Sequence, residues 1–513
     1  MPYSKSPAIS TYETKRVNFF QNANPRTPTG SPIVDNQRDC SLVNMMVESV
    51  PNPVQQSADV RLRSRPMVGP ELVSPYLGTR GRGVYTIQRQ DGTVGGISYF
   101  VVDNKVYTSF GSQIATLNTY TGSVGWAEFL SSTGQKSLIL IDGVDGYIIL
   151  SSSSGGFVSI TKITSSNFPS PHVPNPIVLD GYLFLAKAGT NDIYNSDLDH
   201  PELWTAGNFI SAEMYADNIV ALAKNNNYLY AFGTDSVEFF YDAANPTGSP
   251  LARQQSAIQQ MGCAIQESVI QTEKQVIFVG TTSNGNYTVW LIDGFQATEI
   301  GIPLIKNALA IEMAYNTIPN YTYRSAYVIR ANNQKLYILR LTDRTFVYSF
   351  DTQMWTEWKS GTTTEINFVG AYGGEYFYAD ALLQKQNGAI CRFINDGQYS
   401  STSEDFMCTI VSQRLNFDTL NKKTMSRFAL IGDALPDTES EVRIQWSDDD
   451  GQTWFPADLS YRTLQMSKTY SGDLPAIQQL GSFRQRSFKI KHIHKKTPFR
   501  LQGIEVNINK GIT

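Results

Sequence analysis

Asp180-Gly181-Tyr182-Leu183-Phe184, Asn226-Asn227-Tyr228-Leu229-Tyr230 and Gly373-Gly374-Glu375-Tyr376-Phe377 share one pattern. Their leading Asp, Asn and Gly residues tolerate the positive φ of a hairpin turn, and the aromatic and apolar residues that follow suit a pleated, half-buried strand. The cassette of apolar strand, tight turn and second strand recurs at Tyr107, Tyr147, Tyr182, Tyr228, Tyr287, Tyr337 and Tyr376. Successive tyrosines lie 40, 35, 46, 59, 50 and 39 residues apart, which brackets the about 40 to 50 residues of a four-stranded propeller blade. One blade cannot bury both of its faces, so radial stacking supplies the core. The expected fold is all-β, a β-propeller of six or seven blades. An irregular array of β-sandwiches is the alternative left open by the drift in spacing.

At 513 residues the chain exceeds one compact core, so a second, smaller domain is expected. Residues 1–83 contain Pro25, Pro28, Pro32, Pro51, Pro53, Pro66, Pro70 and Pro75 and little periodic pattern. This density of proline argues for an extended arm, packed on the C-terminal domain. The propeller is expected over 84–400, with helical spacing only at Ile300 to Ala314. From 401 to 513 longer strands, Arg427 to Ile431, Glu441 to Trp446 and Ser487 to Ile493, predict a β-sandwich-like docking domain.

Charged residues are only 17 %, so Ser, Thr, Asn, Gln and Tyr must wet the surface, which suits packing against neighbours. Met1 to Phe20 carries no apolar signal-peptide core, and no window resembles a membrane-spanning helix. The expectation is a soluble protein made in the cytoplasm. Cys40, Cys263, Cys391 and Cys408 have neither paired spacing nor the density of a disulfide scaffold and read as buried thiols.

The sharpest short motif is Ser447-Asp448-Asp449-Asp450-Gly451-Gln452-Thr453-Trp454, the S-x-D-x-G-x-T-W pattern of an Asp-box hairpin. Asp449 is expected to accept turn N–H groups, Gly451 to supply positive φ, and Ser447, Thr453 and Trp454 to complete the hairpin. The role is structural. Asp197, Asp199 and Glu202 read as turn residues, and His492 with His494 as a surface pair. Gly78 to Gly83 lacks the spacing of a phosphate-binding loop. Without a nucleophile elbow, H-E-x-x-H or P-loop, the chain predicts no enzyme, cofactor or metal.

Net charge is −4, yet Arg484, Arg486, Lys489, Lys491, Lys495, Lys496 and Arg500 form a basic stretch free of acids. The rest of the chain then holds 35 basic against 46 acidic residues. Alternation with Phe488, Ile490 and Ile493 predicts a strand with one charged face. That face fits an acidic partner or DNA phosphate, and a merely solvated edge strand is the plain alternative.

The chain resembles the tail nozzle proteins of short-tailed bacteriophages, also called packaged-DNA stabilisation proteins, which are similar in architecture to tail tubular protein B. The resemblance rests on Leu42-Val43-Asn44, Glu48, Pro66, Gly69 and Arg80-Gly81. It continues through Tyr194-Asn195-Ser196, Trp204, Phe209, Ala212-Glu213, Asp217, Phe232-Gly233, Ser236, Glu238, Gly262 and the Asp-box hairpin. It implies a virion tail component: a homo-oligomeric ring, a hexamer, below the head-to-tail adaptor. Such a ring retains packaged DNA, passes duplex DNA during ejection and docks fibres or tailspikes. A receptor- or glycan-binding tail protein is the alternative, and a sialidase-like glycosidase, which would need several Asp boxes, is a further one.

Overall fold

The computed structural model describes residues 13–17, 41–52, 57–73, 78–87, 97–152, 156–215, 217–282, 284–314, 323–362, 366–375, 381–394, 405–417, 419–433, 441–449, 451–457, 462–466, 474–494 and 499–510. The chain forms two compact units, Val68–Phe346 with Phe368–Phe393, and Met1–Met67 with Val347–Asn367 and Ile394–Thr513.

The first unit is a β-propeller of seven antiparallel blades. Blades one to five follow the chain in order, each with four strands hydrogen-bonded in sequence. Their innermost strands are Gly81–Thr86, Gly125–Leu130, Ile177–Leu179, Ile219–Asn225 and Cys263–Gln271. The sixth starts with Ser325–Ala331 and Gln334–Arg340. The seventh holds Gly370–Glu375, Ala381–Lys385 and Ile390–Ile394, and Met67–Val73 from far upstream is its outermost strand.

Blade closure thus uses strands from both ends of the unit, so ladder hydrogen bonds rather than a covalent link shut the ring. A buried amide reinforces the closure: Gln384 of the seventh blade donates to the Val101 carbonyl at 3.0 Å and accepts from Gly83 N at 3.0 Å, both on the first. The core lies between neighbouring blades. Val101, Val106, Leu138 and Leu140 join the first two, and Phe232, Phe239, Val276 and Phe278 the fourth and fifth. Near the axis space is scarce, and a Cβ on Gly373 would fall 2.5 Å from the Tyr327 ring.

The helix expected around 300–314 is Pro303–Ala314, with proline at its first position, where no N–H is needed. It buries Ile305, Ala308 and Leu309 and aims Glu312 at Arg324, 2.9 Å away.

The second unit is a sandwich of two sheets. One runs Met45–Asn52, Ser57–Ser64, Arg500–Lys510, Lys423–Gly432, Ala476–Phe483, with Glu13–Val17 also paired to Arg500–Lys510. The other runs Trp355–Ser360, Ser41–Val43, Phe406–Val411, Ser487–His494, Glu441–Ser447, Arg462–Gln465. Leu62, Phe428, Leu430 and Val506 from the first meet Phe406, Ile444, Phe488 and Ile490 from the second in one core.

Three expectations need correction. The proline-rich segment 1–83 is not a mere extended arm, because Ser41–Val43, Met45–Asn52, Ser57–Ser64 and Met67–Val73 are regular strands. Pro51 and Pro70 sit in Met45–Asn52 and Met67–Val73, which end their sheets, and an edge position tolerates a missing donor. The boundaries 84–400 and 401–513 also fail: Met67–Val73 completes a blade, and 347–367 joins the sandwich. Finally, Gly373-Gly374 is not a turn. Both residues lie inside the strand Gly370–Glu375, paired with Leu383 and Leu382, and Tyr376 lies outside the described residues.

Candidate functional site: the charged sheet face and the propeller axis

Ser447 and Asp449 hold the Asp-box hairpin through a set of short-range hydrogen bonds. The Ser447 hydroxyl accepts from Gly451 N at 2.8 Å and donates to Asp449 Oδ1 at 2.7 Å. Asp449 also accepts from Thr453 N at 2.9 Å and from the Thr453 hydroxyl. Gly451 has φ +81°, and Trp446 and Phe455 exchange backbone hydrogen bonds below the turn. These donors stabilise the carboxylate and hold Asp449 down at about 2, against an ordinary 3.8. A depressed folded-state value stabilises the fold above the unfolded value, and that contribution is lost as pH falls through the folded one. Asp449→Asn is therefore expected to lower Tm at pH 5, with the gap to wild type shrinking as pH approaches 2. A gap independent of pH in thermal melts would remove Asp449 from the turn.

Next to it, the basic stretch divides by environment. Arg486 is fully buried: Nε and Nη2 hold Asp448 at 2.7 and 2.8 Å, and Nη1 donates to the Leu480 carbonyl at 2.8 Å. Its guanidinium also lies 4.3 Å from the Phe483 ring. The expected interface role of Arg486 is thereby corrected, since its charge is spent inside the fold. Arg484 is exposed and donates to the Leu420 carbonyl, while Lys495 and Lys496 lie outside the described residues.

Ser487–His494 is not an edge strand, being flanked by Phe406–Val411 and Glu441–Ser447. Phe488, Ile490 and His492 face the core, and His492 is buried against the Phe499 ring at 4.6 Å, so it is no surface residue. Ile493 shares the parity of the lysines, not that of Phe488. The opposite face carries Lys489 and Lys491, with Arg443 directly across from Lys491. The Lys489 ammonium lies 3.9 Å over the Trp454 ring, a cation–π contact that ties the charged face to the Asp-box hairpin.

In the propeller, residues of all seven blades line an open axial cavity of about 520 Å³, among them Tyr85, Trp126, Pro176, Ala223, Glu267, Tyr327 and Tyr372. Its two acids differ in setting. Lys136 pairs with Glu128 at 2.5 Å, and Glu267 sits where desolvation raises its carboxyl above the ordinary value, outweighing Arg324 and Arg80. Sequence reasoning did not find this cavity, because no local pattern marks which strand of a hairpin will lie innermost.

Several of the residues that carried the family resemblance prove to be geometric fasteners. Asn44 has φ +56°, and its Oδ1 accepts from Arg65 Nε and Lys359 N at 2.9 and 2.8 Å. Asp217 accepts from Asp235 N and Ser236 N at 2.8 and 3.0 Å, and Glu238 pairs with Arg253 at 2.8 Å. Cys263, Cys391 and Cys408 are buried and unbridged, and Cys40 lies outside the described residues.

A closed seven-bladed propeller joined to a β-sandwich defines a β-propeller protein. The family model described as bacteriophage P22 Gp10, beta-propeller, matches residues 67–381, and the chain belongs to this phage stabilisation family. It is a structural protein of the phage tail and a component of the virion. No curated protein matches it.

Among solved structures, the WD40 β-propeller domain of Doa1 is 8 % identical with a TM-score of 0.33, over 62 % of this chain and 94 % of its own. PorZ of the type-IX secretion system of Porphyromonas gingivalis is 12 % identical with a TM-score of 0.35, over 75 % of this chain. The extracellular domain of a B. thetaiotaomicron protein assigned to the hybrid two-component systems is 10 % identical with a TM-score of 0.41, over 74 % of this chain. The chain spans 45 % of the length of each of the last two.

Proposed function

We propose that the protein is the nozzle of a short phage tail, a homo-hexameric ring that retains packaged DNA and releases it during ejection. The adaptor would sit above the ring, and fibres or tailspikes would dock on its outside. Family membership supports the tail role, and the closed propeller axis carries the rest. A cavity of about 520 Å³ walled by seven blades has the size of a small-molecule pocket, so duplex DNA cannot thread one subunit. A conduit then needs several copies around a closed symmetry axis.

The ring's lumen should be acidic or neutral on balance, since a lining of Lys and Arg would grip a sliding polyanion through phosphate contacts. The Lys489, Lys491 and Arg443 face would then meet an acidic partner. Electron microscopy of the purified protein is expected to show six-fold rings with a hole wide enough for a duplex; a monomer would overturn the reading. Lys489→Glu with Lys491→Glu is expected to yield particles that fail to assemble tails or leak DNA. Particles of normal infectivity and DNA content would remove this face from the interface.

A further inference from the structure

The innermost strands of the sixth, seventh and first blades begin side by side, and two arginines meet there. Arg80 and Arg340 lie on one tyrosine, each guanidinium carbon 5.0 Å from the Tyr323 ring centre. The Tyr323 hydroxyl is fixed by donation to the Gly81 carbonyl at 2.7 Å, and Gly81 N donates to the Gln386 carbonyl at 2.9 Å. The notch is therefore built by three blades.

Among the described residues no acid compensates its charge. Arg340 is only 5 % exposed, and its hydrogen bonds go to neutral groups: Nε to the Phe368 carbonyl at 3.4 Å and Nη2 to Gln386 Oε1 at 3.2 Å. Its Nη1 is buried with no acceptor. Among the described residues neither Arg80 nor Arg340 has a carboxylate within ion-pair distance. Arg324, nearby in sequence to Tyr323, is already committed to Glu312, and Glu267 acts on Arg80 only through its longer-range field. Arg82, beneath Arg80, contrasts sharply, with the carbonyls of Gly122, Asp103 and Thr119 and the Thr119 hydroxyl filling its donors.

A buried guanidinium that lacks both an acid and a full set of acceptors, as that of Arg340 does, is costly, and the second cation beside the same ring repels it. Burial indeed pulls Arg340 below the ordinary arginine value, opposed only by the fields of Tyr323, Tyr327 and Tyr372. An anion with several acceptor atoms would satisfy these donors, since it suits the planar fork of arginine.

We propose that Arg80 and Arg340, braced by Tyr323 and Gln386, bind an oxyanion of the phosphate class. This site does not depend on the nozzle reading, because it belongs to a single propeller.

The test is titration of the full chain with sodium phosphate, against sodium chloride at equal ionic strength, followed by calorimetry and thermal shift. Saturable phosphate binding is expected, weakened at least tenfold by Arg340→Gln and by Arg80→Gln. An effect equal to that of chloride, or wild-type affinity in both variants, overturns the site. Should Arg340→Gln fail to fold, Arg80→Gln, at a half-buried side chain, decides alone. A short DNA duplex that displaces phosphate would assign the source to a phosphodiester backbone, and a duplex that does not would assign it to the free ion.

Discussion

Gly262→Ala is expected to cost more than about 3 kcal/mol, enough to prevent the propeller from forming its wild-type structure. The reason is steric and local. A Cβ at this position would lie 1.6 Å from the Thr234 carbonyl oxygen and 2.1 Å from its carbon, and both of those atoms belong to a backbone fixed by neighbouring contacts. Asp217 clamps the turn just beyond Thr234 by accepting from Asp235 N and Ser236 N. Gly262 itself is held by the Thr281 hydroxyl at 3.2 Å and by Thr281 N donating to its carbonyl at 3.0 Å. Neither side can withdraw cheaply. Gly374→Ala is the control, since its nearest neighbour would be the Val84 carbonyl at 3.7 Å, an ordinary contact. Two-unit chains do not unfold in one step, so the comparison is made on Tm and soluble yield. Equal melting of the two variants would refute the clash.

The second large effect is expected from Asp448→Ala. Arg486 would keep its bond to Leu480 but lose both hydrogen bonds to carboxylate oxygen inside the sandwich. Leaving a buried cation unpaired costs about 3 to 5 kcal/mol in fully enclosed sites. Asp448 is 42 % exposed, and water can replace part of what it supplies, so about 2 to 3 kcal/mol is expected here. Arg486→Met in the same chain should recover at least half of the loss. Methionine would place an apolar chain against Phe483 and Trp446 and remove the orphaned charge altogether. The double-mutant cycle isolates the pair. A single variant as stable as wild type would mean that Asp448 contributes nothing to burial of the guanidinium.

Short-range chemistry made the hairpins legible. Asp180 and Gly181 do adopt positive φ, as do Asn226, Asn332 and Asn333, and the tyrosines after such turns do stand on strands. The period was blurred for a structural reason. Tyr182, Tyr228 and Tyr337 lie on the second strands of their blades, whereas Tyr107, Tyr147 and Tyr287 lie on the third. The cassette reports a hairpin, and a four-stranded blade contains three of them. Spacing between tyrosines therefore mixes blade length with strand rank, which is why it wandered between 35 and 59 residues. The hydrogen bonds of Ser447, Asp449, Gly451 and Thr453 join groups close together along the chain, whereas Trp454, expected beneath the hairpin, lies against Lys489.

By itself, then, the sequence determined the all-β class, the hairpins, the helix near 303–314, the Asp-box turn and the family likeness. Each of these depends on residues close together along the chain or on an ordered set of residue types. Tertiary structure alone decided which strand closes the ring, because Met67–Val73 finds its sheet through ladder bonds to a partner hundreds of residues away. It alone decided that Arg486 is buried while Lys489 and Lys491 face outward, since alternation sorts side chains into two faces without saying what covers either. The same holds at the propeller axis. Arg80 and Arg82 are two residues apart, and only packing between blades filled the donors of one with carbonyls and set the other beside Arg340 on the Tyr323 ring.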